Sequence, residues 1–345
     1  MIRIQNKYFR YRSIQTLLLL FLFAAYYYNV FAEEVIIYTS VDQVFSEPLL
    51  KAYENKTGIK VKAIYDVEAA KTTGLVNRLI AEKKRPKCDV FWNSEIARTI
   101  ILKKKDVLMP YFSESAKEIP KQFKDKDGYW TGFAARARIL IYNKKRLSKD
   151  QLPHSIFQLS NPKWHSQFAL AHPLFGTTAT HIAALFAYFG IEKTCDFLLK
   201  LKKNNVKLVN GNSVTRDLVV AARIPIAFTD TDDANVAIQK GKSVGIIYPD
   251  INGIGTLLIP NTVALIKKAP HTDEGKKLID FLLSEEVESK LAHCESAQMP
   301  LRKNVAIPEG FRSFSDIKAM KVDYDKLAEN IERSARFCQK VFYNK

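Results

Sequence analysis

Two hydrophobic periods alternate along the first third of the chain. Val35-Ile36-Ile37-Tyr38 is a short apolar run closed by Thr39-Ser40, and it predicts a strand. From Val44 to Asn55 the apolar residues Phe45, Leu49, Leu50 and Tyr53 return at helical spacing, and Gly58 stands where a helix C-terminus favours glycine. Lys60 to Tyr65 predicts a second strand. Lys71 to Lys84 predicts a second helix, with Leu75, Leu79 and Ile80 on one face and Pro86 as its stop. Asp89 to Trp92 is a third strand. Strand and helix alternating in this way predict a parallel sheet in an α/β domain.

Trp130 to Tyr142 is apolar almost throughout, too long for an ordinary buried strand, and changes character halfway. Such a segment suits a crossover between two lobes. A second α/β unit follows: strand Phe168 to Ala171, a helix after Gly176, strand Val206 to Val209, a helix around Val214 to Ala222, and strand Ile224 to Thr229. Val244 to Tyr248 and Thr256 to Pro260 are read as the return. Helices near Asp273 to Leu283 and Tyr324 to Phe337 end the chain, which has no internal repeat and no low-complexity segment.

The N-terminus changes the picture of where the protein works. Arg3, Lys7, Arg10 and Arg12 precede the apolar run Leu17 to Ala25, and Val30-Phe31-Ala32 supplies small residues at the usual cleavage positions. This predicts a secretory signal peptide over residues 1–32, cleaved after Ala32, with an uncleaved membrane anchor as the alternative. No cysteine stands at the cleavage site, so a lipoprotein anchor is not indicated.

At 47% hydrophobic and 26% charged residues, the whole chain has the composition of a soluble globular protein with a sizeable core. The leader holds four of the 53 basic residues and none of the 36 acidic ones, so the net charge of +17 falls to +13 without it. That charge favours anionic partners. The lysines come in short groups at predicted helix ends and turns, so solvated surface is preferred to a nucleic-acid interface. Attraction to anionic ligands or an anionic membrane face stays open.

Cys88, Cys195, Cys294 and Cys338 lie far apart, without zinc-ligand spacing. A Cys294–Cys338 disulfide and buried free thiols are the two readings in an oxidising compartment. Nucleophile-elbow, zinc-protease, P-loop and dinucleotide motifs are absent, and the six histidines show no metal-ligand pairing, so the chain is read as not an enzyme.

Several segments match one pattern in order: Tyr38-Thr39-Ser40, Lys56-Thr57-Gly58-Ile59-Lys60-Val61, Asp89 to Glu95, Arg136-Ala137-Arg138 and Gly255 to Asn261. Together they resemble the periplasmic binding proteins of ferric-iron ABC importers, within the family-1 extracellular solute-binding proteins. The resemblance covers essentially the whole exported chain. It implies an α/β, two-lobed periplasmic binding protein of type II, with two crossover strands and a central ligand cleft. Lobe 1 is then expected over 33–137 and 250–300, and lobe 2 over 138–249 and 301–345. It also implies a periplasmic monomer that hands its ligand to an ABC permease and ATPase, with no nucleic-acid partner.

Cleft chemistry belongs at strand ends and helix N-termini. Thr39, Ser40 and Asp42 precede one helix and Gly176-Thr177-Thr178 another; each is read as an anion site or as plain capping. The resemblance places a synergistic carbonate or phosphate at a turn like the second. Arg136 and Arg138 share one side of the crossover strand and suit either an anion or an interlobe salt bridge. Glu95 resembles the family's carboxylate metal ligand, though a helix start also favours Glu. Tyr248 is a further cleft candidate.

The sequence departs from the family where adjacent tyrosines are expected to hold Fe³⁺. Thr229-Asp230-Thr231-Asp232-Asp233 stands there instead, and Val41-Asp42-Gln43 replaces the first-loop His or Tyr. Clustered aspartates call for a cation, a donor-rich ligand or proton uptake. Glu95, Asp230, Asp232 and Asp233 suit Fe³⁺ or another hard metal with a synergistic anion. The aspartates equally suit sugar hydroxyls or an ammonium group, with Arg136, Thr39 and Thr177 on a phosphate or carboxylate. The readings carried forward are a metal carrier, a carrier of phosphorylated or carboxylated organic solutes, and an exported metal-dependent hydrolase.

Overall fold

The computed structural model describes residues 33–66 and 72–343. The expected leader lies outside them. Strand β1 (Glu34–Thr39) pairs in parallel with β2 (Lys60–Tyr65) and β3 (Val90–Asn93). Strand alternation sends Val35 and Ile37 to one face, where they meet Leu49, Leu50 and Tyr53 of helix α1 (Gln43–Thr57). Tyr38 goes to the other face, against Leu75 and Leu79 of α2 (Thr73–Ala81) and Ile100 of α3 (Ile96–Lys104). Gly58 ends α1 in the left-handed region, φ 76°, with its N–H on the Glu54 carbonyl.

After the two-residue β4 (Leu108–Met109) comes β5 (Thr131–Asn143), buried at all 13 positions. Its length serves two sheets. Thr131 to Ala137 pair antiparallel with β10 (Leu258–Ile266), whereas Arg138 to Asn143 pair with β8 (Ile226–Asp230) and β9 (Val244–Ile247). The second sheet is completed by β6 (Phe168–Ala171) and β7 (Lys207–Val209), giving the overall order β2-β1-β3-β10-β5-β8-β6-β7.

Strand β10 also crosses between lobes. Leu258 and Ile259 pack in the second lobe's core and Val263 and Leu265 in the first's, with a register shift between Ile259 and Asn261 around Pro260. The return strand is therefore longer than the expected Thr256 to Pro260.

The second lobe carries α4 (Gly176–Phe189), α5 (Ile191–Lys203), α6 (Asn212–Val220) and α7 (Thr231–Gln239). Helices α8 (Thr272–Leu282) and α9 (Glu285–His293) return to the first core, through residues such as Leu278 and Val287. Helix α10 (Tyr324–Cys338) lies against both α4 and α3, and a π-helical segment, Gln339–Tyr343, follows it. Its residues divide accordingly: Leu327, Ile331 and Cys338 join the second core, Ala328 the first.

The hydrophobic pattern missed α3, α5 and α9. No described helix is long and apolar enough to cross a membrane.

Of the two readings of the cysteines, the Cys294–Cys338 bond is not made, and all four are thiols. Cys294 sits beyond α9, its sulfur 3.0 Å from the Ser296 hydroxyl, while Cys338 is buried in the second lobe's core. Nearness in sequence to the C-terminus did not place these two in one core.

Candidate functional site

The second lobe's helices set the character of the site. Helices α4, α6 and α7 all start at the same edge of the cleft, and none is capped by the side chain of its N-cap residue; on α7 the Asp233 N–H donates to Asp232 Oδ1 at 3.0 Å. Their opening residues, Gly176-Thr177-Thr178, Gly211-Asn212-Ser213 and Asp230 to Asp233, line one cavity of about 70 Å³, with Ala171, His172, Phe175 and Asn210. The facing wall is Asp42, Ser94 and Arg136. The first four N–H groups of a helix lack intrahelical partners, and its N-terminus carries roughly half a positive charge. Three such ends therefore point uncapped donors into one small space.

Asp230 shows why α7 is uncapped. Its carboxylate turns back to accept from Arg138 at 2.6 Å, from the Thr177 hydroxyl at 2.6 Å and from Asn212 Nδ2 at 2.9 Å. Arg138 is fully buried and reaches Thr177, Thr178 and Asn212 as well. One buried ion pair thus holds the starts of three helices in register.

The other two aspartates are also partnered. Arg136 Nη1 donates to Asp232 Oδ2 at 3.0 Å, and Arg216 Nη1 lies 3.6 Å from Asp233 Oδ1. Oxygens of Asp230, Asp232 and Asp233 lie within 4.8 Å of one another, so the geometry of a cation site is present, with a guanidinium beside every carboxylate. Burial, with the carboxylates of Asp230 and Asp42, pushes Asp232 above the usual aspartate range despite the opposing pull of Arg136. Burial alone lowers the pKa of His172, so its imidazole is neutral near pH 7.

The lobes are tied together around this cavity. Arg136 also donates to the Ser94 carbonyl and to Asn261 Oδ1, so it serves both the cavity wall and the interlobe contact. Arg98 donates to the Leu174 carbonyl at 3.2 Å.

Glu95, the expected metal or polar-ligand residue, is a clasp between two helices in this structure. It is fully buried and caps α3, accepting from the Ala97 N–H at 2.6 Å and the Arg98 N–H at 3.1 Å, and it takes the Thr180 hydroxyl of α4 at 2.9 Å. It does not line the cavity.

Thr39 and Ser40 are likewise buried behind the wall. Thr39 Oγ1 accepts from the Val41 N–H, and Ser40 donates to Asn93 Oδ1 at 2.8 Å and accepts from the Ser94 N–H. They brace the loop that presents Asp42 and Ser94. Tyr248 is away from the cavity under the Arg312 guanidinium, 4.9 Å from its ring centre, and burial pushes its phenol up to about 12. Arg138 stands one layer behind the surface. Asp42, Arg136, Gly176, Thr177, Thr178, Asp230, Asp232 and Asp233 do come together.

Sequence reasoning missed Ser94 and the Gly211-Asn212-Ser213 turn. That turn follows a strand and opens a helix with small polar residues, the same local pattern as Gly176-Thr177-Thr178.

The model of the bacterial extracellular solute-binding protein family matches residues 100–330, two thirds of the sequence. The chain belongs to that family. Among its relatives, it is 25% identical over 307 residues to iron uptake protein A1 of Synechocystis, covering 86% of this chain and 83% of that protein. It is 26% identical over 305 residues to a putative 2-aminoethylphosphonate-binding periplasmic protein of Salmonella typhi, covering 85% and 86%. Iron-bound HitA from Pseudomonas aeruginosa superposes with a TM-score of 0.80 at 24% identity, over 89% of this chain and 99% of that one. The fold is that of the two-lobed periplasmic binding proteins.

Proposed function

We propose that this chain is the exported solute-binding component of an ABC import system, and that its cargo is a small organic solute carrying a phosphate or phosphonate group and a cationic end. It captures rather than converts its ligand and passes it to a membrane permease driven by an ATPase. The observation that carries this reading is the convergence of three uncapped helix N-termini on one cavity. A tetrahedral oxyanion has enough acceptors to meet such donors. Asp42 on the facing wall and Asp232 in the first turn of α7 suit an ammonium group. At about 70 Å³ the cavity holds the equivalent of about five waters, room for a short solute and not for a macromolecule.

A second reading keeps Fe³⁺ as the cargo, held by Asp230, Asp232 and Asp233 beside a synergistic anion. The 4.8 Å carboxylate cluster and the names of several relatives favour it. Against it stand the three guanidinium partners. Unit charges ~4 Å apart interact by roughly 4 kcal/mol at an effective dielectric of about 20, and a trivalent ion multiplies the repulsion. No tyrosine stands among the described residues lining the cavity.

Native mass spectrometry of the purified protein, with calorimetric titration of 2-aminoethylphosphonate, inorganic phosphate and ferric citrate, separates the two readings. Micromolar or tighter binding of the aminophosphonate, with no bound iron, is the expected result. Stoichiometric iron with no response to the aminophosphonate overturns the first reading in favour of the second.

A further inference from the structure

The two lobes contribute very unequally to the cavity. The second lobe supplies all three helix starts, together with Ala171 and His172 at the end of β6. Among the described residues the first lobe supplies Asp42 and Ser94, and Arg136 arrives on the crossover strand β5.

Ser94 has little left to offer a ligand. Its N–H donates to Ser40 Oγ at 2.8 Å, its carbonyl accepts from Arg136, and its hydroxyl lies 3.1 Å from that of Ser40. Asp42 differs. It is the N-cap residue of α1, a position where aspartate commonly caps, yet its carboxylate makes no capping bond to that helix. The residue is exposed and lines the cavity.

A ligand drives closure only through contacts that differ between the open and closed forms. A phosphonate on the starts of α4, α6 and α7 meets the same donors whether the lobes are apart or together, because all three helices belong to one lobe. Such an anion binds without closing the cleft. A cation held between Asp42 and the second-lobe aspartates touches both lobes at once, and that contact exists only when they meet. Without a cation, closing brings Asp42 to a cavity already lined by Asp230, Asp232 and Asp233, and like charges oppose the approach. Arg136 joins Asp232 on one side to the Ser94 carbonyl on the other, a contribution that is the same for every cargo.

We propose, resting on the phosphonate cargo proposed above, that Asp42 is the residue that selects solutes with a cationic end, and that it selects them through closure. The anionic end docks on the second lobe in the open form, and the ammonium group then draws Asp42 and the first lobe onto it. A solute with the anion alone reaches only the affinity of the open form.

The test compares 2-aminoethylphosphonate with ethylphosphonate, which keeps the anion and lacks the ammonium group, by calorimetry and small-angle scattering of the purified protein. Both are expected to bind, ethylphosphonate about tenfold more weakly, and only the aminophosphonate is expected to lower the radius of gyration. Asp42→Asn is expected to bind the two about equally and to stay extended with either. Its Tm should stay within about 1 °C of the wild type, since the exposed carboxylate does not cap α1. Asp42→Glu, which keeps the charge, is expected to recover part of the compaction. Equal compaction by both ligands, or an Asp42→Asn variant that still prefers the aminophosphonate tenfold, overturns the role of Asp42 and leaves the cargo reading standing. Failure of both phosphonates to bind the wild type overturns the cargo reading and the role of Asp42 with it.

Discussion

Replacing Asp230 by Asn separates a structural brace from a free metal ligand. Asp230 is 1% exposed and accepts three hydrogen bonds, all from groups that only donate or are oriented to donate: Arg138, the Thr177 hydroxyl and Asn212 Nδ2. Asparagine is nearly isosteric but offers a single acceptor oxygen. Its amide nitrogen must face at least one of those donors, and Arg138, 0% exposed, is left with its charge unmatched. Removing one partner of a buried, hydrogen-bonded ion pair costs ~3–5 kcal/mol.

At roughly 2 °C per kcal/mol for a chain of this size, Tm is expected to fall by about 6–10 °C. Binding of the cargo is expected to weaken about tenfold or more, because Thr177 and Asn212 lose the acceptor that sets the starts of α4 and α6. The assay is urea denaturation read by tryptophan fluorescence, paired with calorimetry. The double substitution Asp230→Leu with Arg138→Met removes both charges and is expected to recover most of the stability but not the binding. A shift below ~0.5 kcal/mol for Asp230→Asn refutes the reasoning, because it means the carboxylate braces nothing and stands ready for a cation.

The raised pKa of Asp232 sets a sign for pH dependence. The folded state holds this proton above the pH at which the unfolded chain has released it, so stability falls as pH rises through the window above the usual aspartate value. Asp232→Asn cannot titrate, and the wild type is expected to lose stability relative to it as pH rises above the usual aspartate value of about 4; an opposite slope in paired denaturation curves contradicts the burial argument. Glu95→Ala removes the cap of α3 and the bond to Thr180, with an expected loss of ~1–2 kcal/mol and a larger open population by small-angle scattering. Native mass spectrometry of that variant should show unchanged cargo stoichiometry, and loss of a bound metal would restore Glu95 as a ligand.

The α/β character was legible because it is written in local periodicity. Val35 to Tyr38, the α1 stripe and the long Trp130 to Tyr142 run each encode their own geometry, and a strand too long for one sheet announced a crossing. Gly176-Thr177-Thr178 and the Asp230 to Asp233 run were also visible, since uncommon residues cluster there within a few positions. Helix α5 was less legible. Only Thr194, Phe197, Leu198 and Leu201 are buried on it, and most of the rest is charged or exposed.

What each site residue does depended on partners distant in sequence. Nothing near Glu95 foretells Thr180, and the pairing of each aspartate with its own arginine needs β5, α6 and α7 assembled. The sequence by itself determined which elements form and which residue types crowd the cleft. Only the tertiary structure decided which charges cancel and which helix ends stay open, because electrostatics and hydrogen bonding follow distances of a few ångström through space and not along the chain.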